Sequence, residues 1–134
     1  MYVPHGVETS IFKPGDKTEV RQRLGLPTDK FIVGTVAMNK GNPSRKNFTE
    51  MMEAFAAFHA VHKDTIYLCH AERGEGSQDM VNLPELAAFF GLQPNVDVIF
   101  PDPYFQMLGF PPEHMASVYQ ALDFHMLVGA GEGF

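Results

Sequence analysis

Apolar positions in this chain fall into short runs parted by polar stretches that carry Gly and Pro, and the spacing within the runs changes from one to the next. Phe31 to Ala37 (FIVGTVA) is rich in Val, Ile and Phe, which suits a strand buried on both faces. Asn39 to Ser44 breaks that run with two Asn, Gly, Pro and Ser, the chemistry of a loop. Asn47, with Glu50 three residues on, predicts a capped helix start, and Phe48, Met51, Met52, Phe55 and Phe58 give the helix its apolar stripe. Strand, loop and helix make half of a βαβ unit.

The same alternation continues on both sides. Residues 3 to 14 (VPHGVETSIFKP) read as an extended surface segment, and Asp16 with Glu19 predicts a short helix to about Leu24, closed by Gly25 and Pro27. Thr65 to Cys69 reads as a second strand, His70 to Asp79 as the loop at its end, and Leu83 to Phe90 as a helix stopped by Gly91. Val96 to Phe100 is a third strand. Pro101, Pro103, Pro111 and Pro112 predict no regular structure across 101–112. Glu113 to Leu122 follows as a helix, and Asp123 to Val128 as a fourth strand that leads into GAGEGF.

Strands alternating with helices predict an α/β fold, a Rossmann-like doubly wound parallel sheet of about four strands in the order 3-2-1-4. The whole chain, 1–134, then forms one partial domain, with 1–14 as its lead-in. Ligands of such sheets sit beyond the carboxyl ends of the strands where the order reverses. Here the reversal falls between strands one and four, which sets the loop after strand one beside the Gly-rich end.

Charge sharpens that picture. Lys40, Arg45 and Lys46 fall within seven residues, with no acid between Asp29 and Glu50. Cations beside a helix start, whose N–H groups are unpaired, describe an anion site, most naturally for phosphate; the alternative is a solvated basic loop. All ten Lys and Arg lie at or before Arg73, whereas eight of the sixteen acids follow it, for a net charge of −6. That balance argues against nonspecific nucleic-acid binding. No apolar run has the length of a membrane span, the start lacks the pattern of a secretion signal, and the single Cys69 permits no internal disulfide, all of which favours a cytoplasmic protein.

Other residues support a plain reading beside a chemical one. His59, His62 and His70 lack the companions of a metal site and read as surface histidines, so no metal is expected. Cys69 reads as a small core residue. Gly129, Gly131 and Gly133 could open a dinucleotide fingerprint, but that motif belongs between a first strand and a helix. Tyr104 and Phe105, beyond strand three, could flank a nucleobase or pin their loop by packing.

Two separated segments resemble one family. VPHGVETSIFKP is similar to the "PNGVD..xF.P" start of the C-terminal domain in retaining glycosyltransferases of group 1, or family 4, which have the two-domain GT-B fold. YQALDFHMLVGAGEGF is similar to that family's "Y..AD..v.PS..EGFG", whose Glu opens an E-x7-E motif. Between them, Lys46 with Ala54-Phe55 resembles "KG......AF". The resemblance implies a donor-binding portion that takes a UDP- or GDP-sugar without a metal cofactor. Lys46 would contact the diphosphate, with Arg45 or Lys40 in place of the family's Arg. Glu132 would act at the transferred sugar as the catalytic-site carboxylate, and the backbone of Gly131, Gly133 and Phe134 would approach sugar or phosphate.

The departures are specific. Met38-Asn39 stands where the family has its Arg, GNPS lengthens the loop, and Asn47, His5 and Gly129 replace the usual Gly, Asn and Ser. Ending before the second Glu implies a piece of an enzyme, inactive alone, whose N-terminal acceptor domain lies elsewhere; peripheral membrane association of the whole enzyme stays open. Truncation also implies an open fourth-strand edge, with Phe124, Met126 and Val128 inviting self-association. A noncatalytic nucleotide-binding or regulatory α/β module is the alternative.

Overall fold

Among the residues described by the computed structural model, 6–41 and 43–130, parallel strands and helices alternate. The elements are α1 (Lys17–Arg23), β1 (Phe31–Val36), α2 (Phe48–Val61), β2 (Thr65–His70), α3 (Leu83–Phe89), β3 (Val98–Ile99), α4 (Pro103–Leu108), α5 (Pro112–Ala121) and β4 (Phe124–His125). The sheet order is β3-β2-β1-β4 and every pairing is parallel, as the alternation predicts. β1 and β2 pair along their full lengths, from Phe31 opposite Thr65 to Val36 opposite His70.

Strand periodicity sorts the core into two layers. Val33 of β1 and Tyr67 and Cys69 of β2 face α2 and α3, where they pack with Phe48, Met51, Met52, Phe55 and Leu83. Ile32, Ile66 and Leu68 point the other way, onto Val20 of α1 and Val118 and Ala121 of α5. With apolar residues required on both faces, the central strands lose the alternation of a half-exposed strand. Gly34 is the one gap in β1, and a β-carbon there would collide with the Leu122 side chain, so the small residue admits α5's last turn. Cys69 lies wholly within this packing, its thiol pushed up to about 12 by burial, and is chemically inert.

Local signals explain most helix ends. Asp16 accepts the Glu19 N–H at 2.9 Å, and Gly25 takes a positive φ of 68° just past α1. Asn82 does the same for α3 by accepting the Glu85 N–H at 3.2 Å.

Several expectations need correction. The 101–112 stretch holds α4, because Asp102 caps it at 2.8 Å from the Tyr104 N–H and Pro103 occupies the first turn, where its missing N–H costs nothing. β3 and β4 are only two residues long, shorter than the runs 96–100 and 123–128. Asn47 is the N-cap of α2, yet its backbone is left-handed (φ 52°) and its side chain makes no capping bond; its N–H donates to the Ser44 carbonyl instead, at 3.0 Å. Residues 8–12 form a turn, with the Phe12 N–H on the Glu8 carbonyl at 2.9 Å, rather than an extended run. His59 is not a free surface residue: it stacks on Phe55 and lies 3.0 Å from the Thr65 hydroxyl and 3.5 Å from Asp97. No helix among the described residues is long and apolar enough to cross a membrane.

Candidate functional site

The strand order reverses between β1 and β4, and ligands of such sheets sit beyond the carboxyl ends of the strands at that point. The loop from Ala37 to Asn47 leaves β1 there, carrying Lys40 and Arg45 exposed and Lys46 partly buried at the start of α2. Asn39 anchors it. This side chain is fully buried, donating to the carbonyls of Glu72 (2.8 Å) and Val81 (2.7 Å) and accepting the Val81 N–H (3.2 Å). Its own N–H donates to the Glu72 carboxylate at 2.9 Å, and the Gly41 N–H reaches the Asp79 carbonyl at 2.7 Å. The basic loop is therefore held against the loop that follows β2.

On its other side the basic loop meets the segment that follows β4. The Met126 N–H bonds the Gly34 carbonyl at 2.8 Å, and the Met126 carbonyl accepts the Thr35 hydroxyl at 2.6 Å. The backbone then leaves the sheet, and the Ala130 N–H docks on the Arg45 carbonyl at 2.8 Å. Thus the segment predicted to bring a carboxylate to the cations closes onto the loop that bears them. Glu132, Gly131, Gly133 and Phe134 lie outside the described residues, as does His5.

Past β2 and β3 the same rim continues. Tyr104 and Phe105 sit on α4, 60% and 58% exposed, ring edge to ring face at 5.7 Å. On one side of α4, Pro103, Gln106 and Met107 face Glu72 to Glu75 across a hollow of about 410 Å³. On the other, Phe105 borders a hollow of about 230 Å³ with His70, Phe110 and His114. His70 is buried at the end of β2 with Phe110 at 4.8 Å, and burial together with the His114 charge holds its pKa below the ordinary imidazole value. His114 stacks on Phe110 at 4.5 Å, and burial lowers it as well.

Asn39, Glu72 and Arg73 were not singled out from the sequence. An Asn in a polar loop has the same local signature whether it is solvated or clamps two loops, and only the fold brings residues 39, 72 and 81 together. Among the described residues, no group of three or more His, Cys, Asp or Glu could hold a metal ion.

The chain resembles known proteins in sequence and in fold. No family model matches the chain. Over 98% of its length it is 30% identical to a D-inositol 3-phosphate glycosyltransferase of Acidothermus cellulolyticus, of which it spans 28%. A 31-residue stretch is 52% identical to the D-inositol 3-phosphate glycosyltransferase of Stackebrandtia nassauensis, covering 23% of this chain and 7% of that protein. Among solved structures, the C-terminal domain of a glycosyl transferase group 1 family protein (LpcC) from Francisella tularensis superposes with a TM-score of 0.71 at 22% identity. That match covers 96% of this chain and 62% of that domain. The relatives by sequence are glycosyltransferases, and the fold is that of a group 1 C-terminal domain.

Proposed function

We propose, from a premise of glycosyltransferase relatives and a group 1 C-terminal fold, that this chain is the donor-binding portion of a retaining glycosyltransferase that uses a nucleotide diphosphate sugar. The observation that carries the reading is the docking of Ala130 on Arg45, which joins the Gly-rich segment to the basic loop at the point of strand reversal. In this reading Lys46, with Arg45 or Lys40, neutralises the charge that builds on the departing nucleoside diphosphate. Glu132, two residues beyond Ala130, accepts hydrogen bonds from hydroxyls of the transferred sugar. Gly131, Gly133 and Phe134 supply backbone amides to sugar or phosphate, with glycine admitting close approach. Tyr104 and Phe105 flank the base on the β3 side. The longer protein would supply an acceptor domain, and transfer would occur between the two.

Calorimetric titration with UDP- and GDP-sugars tests the site. The unmodified chain binds one of them, Lys46→Ala weakens that binding at least about tenfold, in line with the loss of a charge-assisted bond, and Lys46→Arg retains most of it. Equal affinities for the chain and for Lys46→Ala, with circular dichroism unchanged, would remove Lys46 from the donor site.

A further inference from the structure

The stretch that carries α4 is loosely attached. No residue of α4 is buried, and among the described residues the hydrogen bonds of 102–111 run only to partners within 102–115. Tyr104, Phe105, Met107 and Leu108 are each more than half exposed. Pro101 and Pro103 stiffen one end of the stretch and Pro111 and Pro112 the other, with Gly109 at a positive φ of 82°. Phe110 ties this unit down. Its half-buried ring lies 4.8 Å from that of His70, at the end of β2, and stacks 4.5 Å from that of His114, on α5.

The two imidazoles that grip Phe110 are close to one another, with ring centroids 6.1 Å apart. His70 is 8% exposed, and its Nε2 is buried with no hydrogen-bond partner among the described residues. It borders the hollow of about 230 Å³, whose wall is largely apolar, with Leu24 and Leu26 after α1, Leu68 of β2, Ile99 of β3 and Val118 of α5. Such surroundings accept a neutral ring and oppose a charged one, because an imidazolium needs an acceptor for each N–H. The nearby charges give little relief. Glu72, in the loop after β2, is bonded to the Asn39 N–H, and Asp102, at the head of α4, has one oxygen taken by the N–H groups of Tyr104 and Phe105. On the far side of His114, Glu113 of α5 and Arg23 of α1 line a separate hollow, where Arg23 donates to the Ser117 hydroxyl at 2.9 Å.

We infer that residues 101–111 form a proton-sensitive strap, closed over the ends of β2 and β3 while His70 and His114 are neutral and released when both take up protons. Burial first, and the His114 charge second, hold the His70 pKa below the ordinary 6.5, against the pull of its own backbone and of Glu72; burial lowers His114 as well. The closed strap thus binds fewer protons than the open one. Closure is complete above about pH 6.5 and weakens as pH falls through that value toward the lowered ones. Below it, two like charges face each other beside an apolar hollow, and each gains water only by leaving Phe110. Once that ring is free, α4 swings from the rim as a unit.

Amide hydrogen exchange of the 134-residue chain at about pH 8 and about pH 5, corrected for the intrinsic pH dependence of exchange, tests this while keeping most carboxylates ionised. Protection of residues 104–111 falls at least about fivefold at the lower pH, whereas α2 keeps its protection. His70→Gln, which cannot take up a proton, removes most of that fall. Should this variant not fold, His114→Phe, which keeps a ring stacked on Phe110, reduces the fall on its own. Unchanged protection of 104–111 across the two pH values would overturn the strap, as would an equal loss in α2 or a fall of the same size in both variants.

Discussion

Asp123, at the start of the approach to β4, draws three donors onto its carboxylate: Lys17 Nζ at 2.7 Å, Arg21 Nη2 at 2.6 Å and the Ile32 N–H at 2.8 Å. Arg21 is itself buried and donates to the carbonyls of Ala121 (2.9 Å) and Lys30 (3.0 Å), tying α1, α5 and the amino ends of β1 and β4 together. Burial pushes the Asp123 pKa up, but the bonds from Lys17, Ile32 and Arg21 outweigh it, and the carboxyl lies below its ordinary 3.8. A carboxyl depressed on folding adds stability that is complete above about pH 4 and is lost as pH falls through the folded pKa. Asp123→Ala therefore destabilises the chain by about 3 kcal/mol at pH 7, since it leaves Arg21 buried without its counter-charge, and by progressively less toward pH 2. Urea unfolding at both pH values checks this; a deficit that does not vary with pH would contradict it. Neither this lock nor the Asn39 clamp was legible in the sequence, because each joins residues far apart in the chain through side chains that have ordinary local signatures.

Elements were more legible where one signal dominates. β1 and β2 carry continuous apolar runs and α2 an apolar stripe, and these elements lie where those patterns put them. β3 and β4 were overextended because an apolar run continues after pairing ends: at the margins of a four-stranded sheet only two residues of each find a partner. α4 was missed because proline was read as a breaker along the whole stretch, although Pro103 to Leu108 contains none beyond its first turn. Among the described residues β4 pairs only with β1, and Phe124 is 55% exposed beside a groove of about 280 Å³ lined by Phe31, Phe58 and Met126. Nothing along 124–128 carries the lysine or proline that protects edge strands. The chain is expected to self-associate at high concentration, and Phe124→Lys to suppress it; a single monomeric boundary for the unmodified chain in sedimentation velocity would contradict this.

At the scale of the molecule, the parallel sheet gathers its chemistry at one rim. The acidic excess lies mostly in the later half of the chain, whereas Lys40, Arg45 and Lys46 stand together where strand order reverses. In a protein whose net charge is −6, these cations make the basic loop the docking point expected for the proposed donor's diphosphate. Strand order, the basic loop and its meeting with the segment after β4 were all legible in the sequence; the hollow between the β2–α3 loop and α4 was not, since it depends on a helix the prolines concealed. The most direct test is the backbone amide spectrum of the chain during titration with GDP- and UDP-sugars. Concerted shifts in residues 39–47 and in the segment from Met126 to Phe134, saturating at one ligand concentration, are the predicted result. Shifts confined to one of those segments, or to neither, would contradict a donor site built from both.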